Sequence, residues 1–200
     1  MKLYGSLTSP YVRKVRIFLQ EKEIDHEFIV EGPSDPKGNI SRLNPLGKVP
    51  VLIRDDGEAI FDSPMIIEFL DDLTGYPLIP TGKSRWRAQR WHALGQGILE
   101  AVVARLMETR RPSERQDPAV IDKQEGKVAA ALRFADDHYK NGKHLVDDAL
   151  TIADISLAVA LEYIDFRFAH DWRGLYPRLG KWQEEYSSRP AFIETRPPAA

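Results

Sequence analysis

Apolar positions in the first eighty residues change period several times, whereas later in the chain they keep a helical period throughout. Lys2–Gly5 is strand-like, Ser6-Leu7-Thr8-Ser9-Pro10 is a polar break, and residues 11, 12, 15, 18 and 19 are then apolar. That spacing predicts a helix over Tyr11–Gln20. Pro10 suits its first turn, where a missing N–H costs nothing, so Ser9 falls at or near the N-cap. Glu27–Val30 reads as a second strand. Glu31–Ile40, with Gly32, Pro33, Pro36 and Gly38, reads as irregular chain before a short helix ending near Leu43. Asn44-Pro45-Leu46-Gly47 is a turn, Val49–Ile53 a strand, Asp55-Asp56-Gly57 a hairpin turn, Glu58–Phe61 the returning strand, and Ser63–Leu73 a helix. The order is β-α-β-α-β-β-α.

Gly75-Tyr76-Pro77-Leu78-Ile79-Pro80-Thr81-Gly82 has the Pro/Gly density of a linker, and no later segment alternates with period two. Helices are expected at Ser84–Thr109, Pro118–Lys140, Thr151–Phe168 and Tyr176–Ser187. Two domains follow, an α/β domain over 1–76 and an all-helical domain over 84–200. The apolar stripe Trp91-Leu94-Ile98-Val102-Leu106 belongs to the core of the second.

Composition narrows the chemistry. At 42% apolar and 29% charged the 200-residue chain has the balance of a globular protein, and its net charge of −2 offers no electrostatic case for nucleic acid or an acidic membrane. The Arg-rich stretch from Arg85 to Arg115 reads as a solvated helix face. With no cysteine, disulfides, thiolate metal sites and a cysteine nucleophile are excluded. No signal peptide fits the start, so a cytoplasmic address is expected. Histidines 26, 92, 138, 144 and 170 show no HExxH spacing, no GxSxG surrounds a serine, and no metal is expected. Gly95-Gln96-Gly97-Ile98-Leu99-Glu100 lacks the third glycine and the preceding strand of a dinucleotide fingerprint.

Three short segments remain as candidates. Ser9 stands where a helix N-terminus presents unpaired N–H groups and a partial positive charge, which favour an anion beside its hydroxyl. Val49-Pro50 lies at the head of a strand, where a cis bond would turn the Val49 backbone outward to pair with an extended ligand and a trans bond would make it an ordinary strand start. Asp62-Ser63 precedes Pro64 and another helix; Ser63 reads as its N-cap, with a hydroxyl and N–H for a carboxylate, and Asp62 as an acceptor for an ammonium. Separately, Thr151-Ile152-Ala153-Asp154 reads as a capping box, a stabilising device.

The strand followed by Ser9-Pro10-Tyr11-Val12-Arg13-Lys14-Val15-Arg16, then Asn44-Pro45-Leu46-Gly47-Lys48-Val49-Pro50-Val51-Leu52, then Phe61-Asp62-Ser63, together resemble the glutathione-binding domain of cytosolic glutathione S-transferases. Thr151–Asp154 is similar to the capping box of that family's helical domain, so the resemblance covers nearly the whole chain. It implies a thioredoxin-like N-terminal domain plus an all-α C-terminal domain, glutathione as co-substrate, and a homodimer joined through the Ser63–Leu73 helix and the Ser84–Thr109 helix of a partner. It implies a detoxifying transferase of the bacterial serine type, with small, mostly apolar electrophiles as second substrates. Ser9 matches the serine that hydrogen-bonds the glutathione sulfur, Val49 the residue whose backbone pairs with the cysteinyl unit, and Asp62 and Ser63 the pair that holds the γ-glutamyl end. Lys48 lies where a polar group near the glycyl carboxylate is useful, while Pro50, Thr151 and Asp154 are structural. Asp62 departs from the Glu or Gln more usual there, and the Glu31–Ile40 segment offers no clear second glycyl contact. Two other readings are a glutathione-dependent isomerase or peroxidase, whose isomerase class carries a Ser-Ser-Cys stretch that Leu7-Thr8-Ser9 does not match, and a binding module without catalysis. Glutathione retention and a conjugation assay separate them.

Overall fold

A computed structural model describes the chain except Ser34, Pro36 and Ala200. The irregular stretch expected over Glu31–Ile40 therefore lies outside the described residues at positions 34 and 36. The chain forms two compact units, Met1–Ile79 together with Arg189–Ala200, and Pro80–Ser188.

The first unit contains β1 (Lys2–Gly5), α1 (Pro10–Glu21), β2 (Glu27–Val30), α2 (Ile40–Leu43), β3 (Val51–Ile53), β4 (Ala59–Ile60) and α3 (Ser63–Asp72). Its sheet has the order β2-β1-β3-β4, with β2 parallel to β1 and β3 antiparallel to both β1 and β4. This is the expected thioredoxin-like arrangement. β3 begins at Val51 rather than Val49, since Pro50 has no N–H to give a ladder. Leu3, Val12, Val15, Phe18, Leu52, Ile66, Ile67 and Leu70 form the core between sheet and helices. A Cβ on Gly5 would lie 2.4 Å from Val12 Cγ2, so glycine lets α1 sit this close to β1.

Two buried charges tie this unit together. Lys22 Nζ lies 2.6 Å from Asp71 Oδ1 and donates to the Asp71 and Tyr76 carbonyls at 3.0 and 2.9 Å. Asp71 in turn accepts the Leu78 and Ile79 N–H groups at 2.8 and 3.0 Å. Burial of both charges is tolerated because each is paired and hydrogen-bonded. The pair anchors the chain leaving α3 against the end of α1.

The second unit contains α4 (Gly82–Thr109), a short 3₁₀ turn, α5 (Pro118–His138), α6 (Ile152–Arg167), α7 (Trp172–Leu175) and α8 (Pro177–Ser187). α6 buries residues on every side, which makes it the central helix, flanked by α4. Where α4 crosses it, a Cβ on Gly95 would meet the Ser156 carbonyl oxygen at 2.7 Å. Close helix packing is thus the role of this glycine. Trp91, Ile98 and Val102 of the expected stripe are buried, and Leu94 and Leu106 are half-buried. The Arg-rich stretch is paired rather than merely solvated, through Arg87–Asp147 (2.5 Å), Arg105–Glu125 (2.6 Å) and Arg111–Glu108 (2.7 Å).

Thr151 and Asp154 form a reciprocal capping box at the start of α6. Asp154 accepts the Thr151 N–H at 2.8 Å, the Thr151 hydroxyl at 3.0 Å and the Leu145 N–H at 2.8 Å. Burial pushes its carboxyl above the ordinary range, and the Leu145 and Thr151 N–H groups pull it back.

A last helix, α9 (Pro190–Glu194), packs with the first unit, although the sequence reading carries the helical domain to residue 200. Buried Arg13 donates to the Phe192 carbonyl at 3.1 Å, and Arg189 grips Glu21 through two bonds of 2.9 and 2.6 Å. Five residues are too few to show a period, so only these long-range partners fix its place. Among the described residues, no helix is long and apolar enough to cross a membrane.

Candidate functional site

Strand direction gathers the candidate residues. β1 and β4 run the same way, so α1 and α3, which follow them, begin at one end of the sheet. β3 runs the opposite way, so the Val49-Pro50 segment that leads into it lies at that same end. The register agrees: Tyr4 is opposite Val51 and Leu52 opposite Ile60, which carries Ser6, Val49 and Asp62 just past the paired residues.

Ser9 is the N-cap of α1, half-buried, with Pro10 following it. Its Oγ accepts the Val12 N–H at 3.3 Å, its N–H donates to the Ser6 carbonyl at 3.3 Å, and its carbonyl accepts from Arg13 at 3.0 Å. A hydroxyl has one donor and two acceptor sites, so capping uses a lone pair and leaves the O–H to give. No acidic residue in the first turn neutralises the helix end.

The second helix start differs from expectation. Asp62, not Ser63, occupies the N-cap position of α3, exposed and in extended conformation, and its side chain makes no capping bond. Ser63 is the first helical residue, 1% exposed, and its Oγ is buried without a hydrogen-bond partner. Pro64 moves the helix start one residue earlier than a Ser63 cap requires, because a proline is accepted within the first turn and not only at its first place. An orphaned buried hydroxyl at a helix start with no acid in its first turn suits an incoming anion.

The third segment is held by a residue the sequence reading treated only as turn. Asn44, 2% exposed, donates to the Lys48 carbonyl at 2.9 Å and accepts the Leu46 N–H at 2.9 Å, which closes the Asn44–Lys48 turn. Val49 is half-buried, Pro50 buried and Lys48 exposed. The Val49–Pro50 bond is cis, as is Phe61–Asp62. Glu31 was also missed: it follows β2 at this same end, and its carboxylate accepts from the Asn39 backbone and side chain and, at 2.7 Å, from the Ile40 N–H. A glutamate one residue past a strand gives no sequence signal. Thr151 and Asp154 stand in the other unit and take no part.

Comparison with known proteins converges on one family. Residues 3–78 match the model of the glutathione S-transferase N-terminal domain, and residues 118–184 that of its C-terminal domain. The uncharacterized GST-like protein YibF of Escherichia coli is 37% identical over 203 residues, covering all of both chains. Among solved structures, a glutathione S-transferase from Methylobacillus flagellatus with glutathione bound is 41% identical, with a TM-score of 0.94 over 98% of each chain. A glutathione transferase family member from Pseudomonas fluorescens, with S-(propanoic acid)-glutathione bound, is 34% identical, with a TM-score of 0.85 over 100% of this chain and 98% of that one. With both halves matched and full-length likeness at this identity, the chain belongs to the glutathione S-transferase family.

Proposed function

We propose that the protein binds glutathione at this end of the sheet and conjugates its thiolate to small, mostly apolar electrophiles, with Ser9 stabilising the thiolate. The observation that carries the reading is the convergence of two helix starts at one end of the sheet, one with a hydroxyl proton left to donate and one with a buried, partnerless hydroxyl. In this reading Ser63 and Asp62 take the γ-glutamyl carboxylate and ammonium, the Val49 backbone pairs with the cysteinyl unit, and Lys48 meets the glycyl carboxylate. Solved relatives that hold glutathione or its thioether conjugate support the same ligand.

Ser9 acts as a donor and never as a base. A free thiol with a pKa of about 8.5 is a few per cent thiolate at pH 7. Bringing it to about 6.5 takes about 2.7 kcal/mol of preferential anion stabilisation. A hydroxyl bond to the charged sulfur supplies roughly 1.5–3 kcal/mol and the helix start about 0.3–1. In conjugation to chlorodinitrobenzene the thiol proton goes to solvent, the S–C bond forms, and chloride leaves with the electron pair. The protein is proposed to work as a cytoplasmic homodimer, with no metal.

Calorimetric titration with glutathione and a chlorodinitrobenzene assay test this. Binding with turnover is expected. Binding without turnover reduces the protein to a glutathione-binding module, and absence of binding removes the reading.

A further inference from the structure

A buried carboxylate stands at the far end of the segment that presents Val49. Glu31 is 8% exposed. Its Oε1 accepts the N–H groups of Asn39 and Ile40, the latter at 2.7 Å, and its Oε2 accepts from the Asn39 side chain at 3.2 Å. These donors open α2, a helix of four residues that is too short to hold itself. Asn39, its N-cap, makes no side-chain capping bond, and Ile40 is its single buried residue. A carboxylate 8 and 9 residues away in sequence therefore does the capping. Gly38 lets it in, because a Cβ there would lie 2.5 Å from Glu31 Oε1 and 2.8 Å from its Cδ.

From the start of α2 the bonds continue to the site. The Ile40 carbonyl accepts the Asn44 N–H at 2.7 Å, and the Asn44 side chain donates to the Lys48 carbonyl at 2.9 Å. Asn44 also accepts the Leu46 N–H through its side chain and the Gly47 N–H through its carbonyl, both at 2.9 Å. The Lys48 carbonyl and the Val49 N–H share one planar trans peptide, so holding the first aims the second. The plainer role of Glu31 is to satisfy buried N–H groups, a contribution to folding alone. That role needs no link to the turn. The link exists because Asn44 is shared: it ends α2 and ties down Lys48.

We propose that Glu31 is a positioning residue of the glutathione site: through α2 and Asn44 it fixes the direction of the Val49 N–H, and so the place of the cysteinyl unit relative to Ser9. The positioning of a ligand rests on the glutathione reading above; the line of bonds from Glu31 to Lys48 does not.

Amide hydrogen exchange on the ligand-free protein tests the line of bonds. Glu31→Ala should speed exchange at Asn39 and Ile40, which lose their acceptor, and by roughly tenfold at Asn44, Leu46 and Gly47 beyond them, while α1 and α3 keep wild-type rates. Unchanged rates at Leu46 and Gly47 overturn the proposal. Equal acceleration in α1 and α3 also overturns it, by making Glu31 a residue of global stability. Calorimetric titration with glutathione tests the positioning. On folded protein Glu31→Ala should bind roughly tenfold more weakly, and Glu31→Gln should recover part, since its oxygen still meets the two backbone donors. Gly38→Ala should weaken binding severalfold by displacing the carboxylate. Because Glu31 and Asn44 act in series, Glu31→Ala and Asn44→Ala together should cost little more than the larger single effect, whereas Glu31→Ala with Ser63→Ala should cost the product of both. Wild-type affinity in Glu31→Ala, or a full product of effects with Asn44→Ala, overturns the positioning role. Faster exchange as far as Gly47 in Glu31→Ala, with no glutathione binding by the wild type, supports the line of bonds and overturns the glutathione reading.

Discussion

The helix starts of the two units are built from the same residue types and end up chemically opposite. At α6 the capping residues consume one another: Thr151 and Asp154 exchange bonds, and Asp154 has a further bond for Leu145, 9 residues away in sequence. At α1 and α3 the local bonds stop short. Ser9 caps through one long bond and keeps its proton, and the Ser63 hydroxyl makes no bond. A helix start closed by its own side chains holds the fold, and one left open holds a ligand. In sequence both look alike, a Ser or Thr with an acid or proline nearby.

The largest expected effect lies at the closed end. Asp154→Ala strips the acceptor from the Thr151 and Leu145 N–H groups, and each buried orphan costs about 1–3 kcal/mol. Chemical denaturation should show a loss of about 2–4 kcal/mol, beyond the usual cost of a cap. The glutathione dissociation constant, measured on the folded fraction, should not move. If the variant stays stable and loses glutathione instead, the division between closed and open helix starts fails.

At the first open end the expectation reverses. Ser9→Ala should reduce kcat for conjugation by roughly 10–150-fold at neutral pH, from a loss of about 1.5–3 kcal/mol at the thiolate. Stability should fall by about 1 kcal/mol or less, since one 3.3 Å capping bond is lost. With the thiol returned to about 8.5, activity should recover as pH rises past neutrality. Full activity with an unshifted pH profile would transfer the role to Thr8, Ser6 or Tyr11.

Much of this contrast was legible in the chain, and the illegible parts share a cause. Pro10 and Pro64 mark helix starts by local geometry, so α1 and α3 appear in place, and the uninterrupted helical period after Gly82 gives α4, α5, α6 and α8 within a few residues. Ser9, Val49 and Asp62-Ser63 were legible as turn and cap chemistry and acquired a joint meaning through the family pattern. What sequence did not give depends on partners far along the chain. Glu31 is defined by Asn39 and Ile40, and α9 by Arg13 and Glu21. The Ser63 hydroxyl is the subtlest case, because a serine before a proline reads as a cap, and only burial shows that it caps nothing.

Asp62→Ala should sharpen the comparison from the exposed side of the same helix start. Its carboxylate makes no capping bond, so removing it should raise the glutathione KM by roughly tenfold with little change in stability. Steady-state kinetics at saturating electrophile check the first part, and thermal unfolding the second.

The smallest expected change in the free protein is at Ser63, and it is informative in sign. A hydroxyl that is 1% exposed and has no partner contributes nothing to the fold and carries the cost of an unmatched polar group. Alanine removes that cost and favours the first helical turn slightly more than serine does. Without ligand, Ser63→Ala should therefore unfold at the same denaturant midpoint as the wild type or higher, by at most about 1 kcal/mol. Glutathione should reverse the order. A ligand stabilises the folded state by RT ln(1 + [L]/Kd), so a tenfold weaker dissociation constant leaves the variant about 1.4 kcal/mol less stabilised at saturation. The wild type should then be the more stable of the two. A variant less stable than wild type in both conditions would make Ser63 a structural residue, and one equal to wild type in both would remove it from the glutathione site.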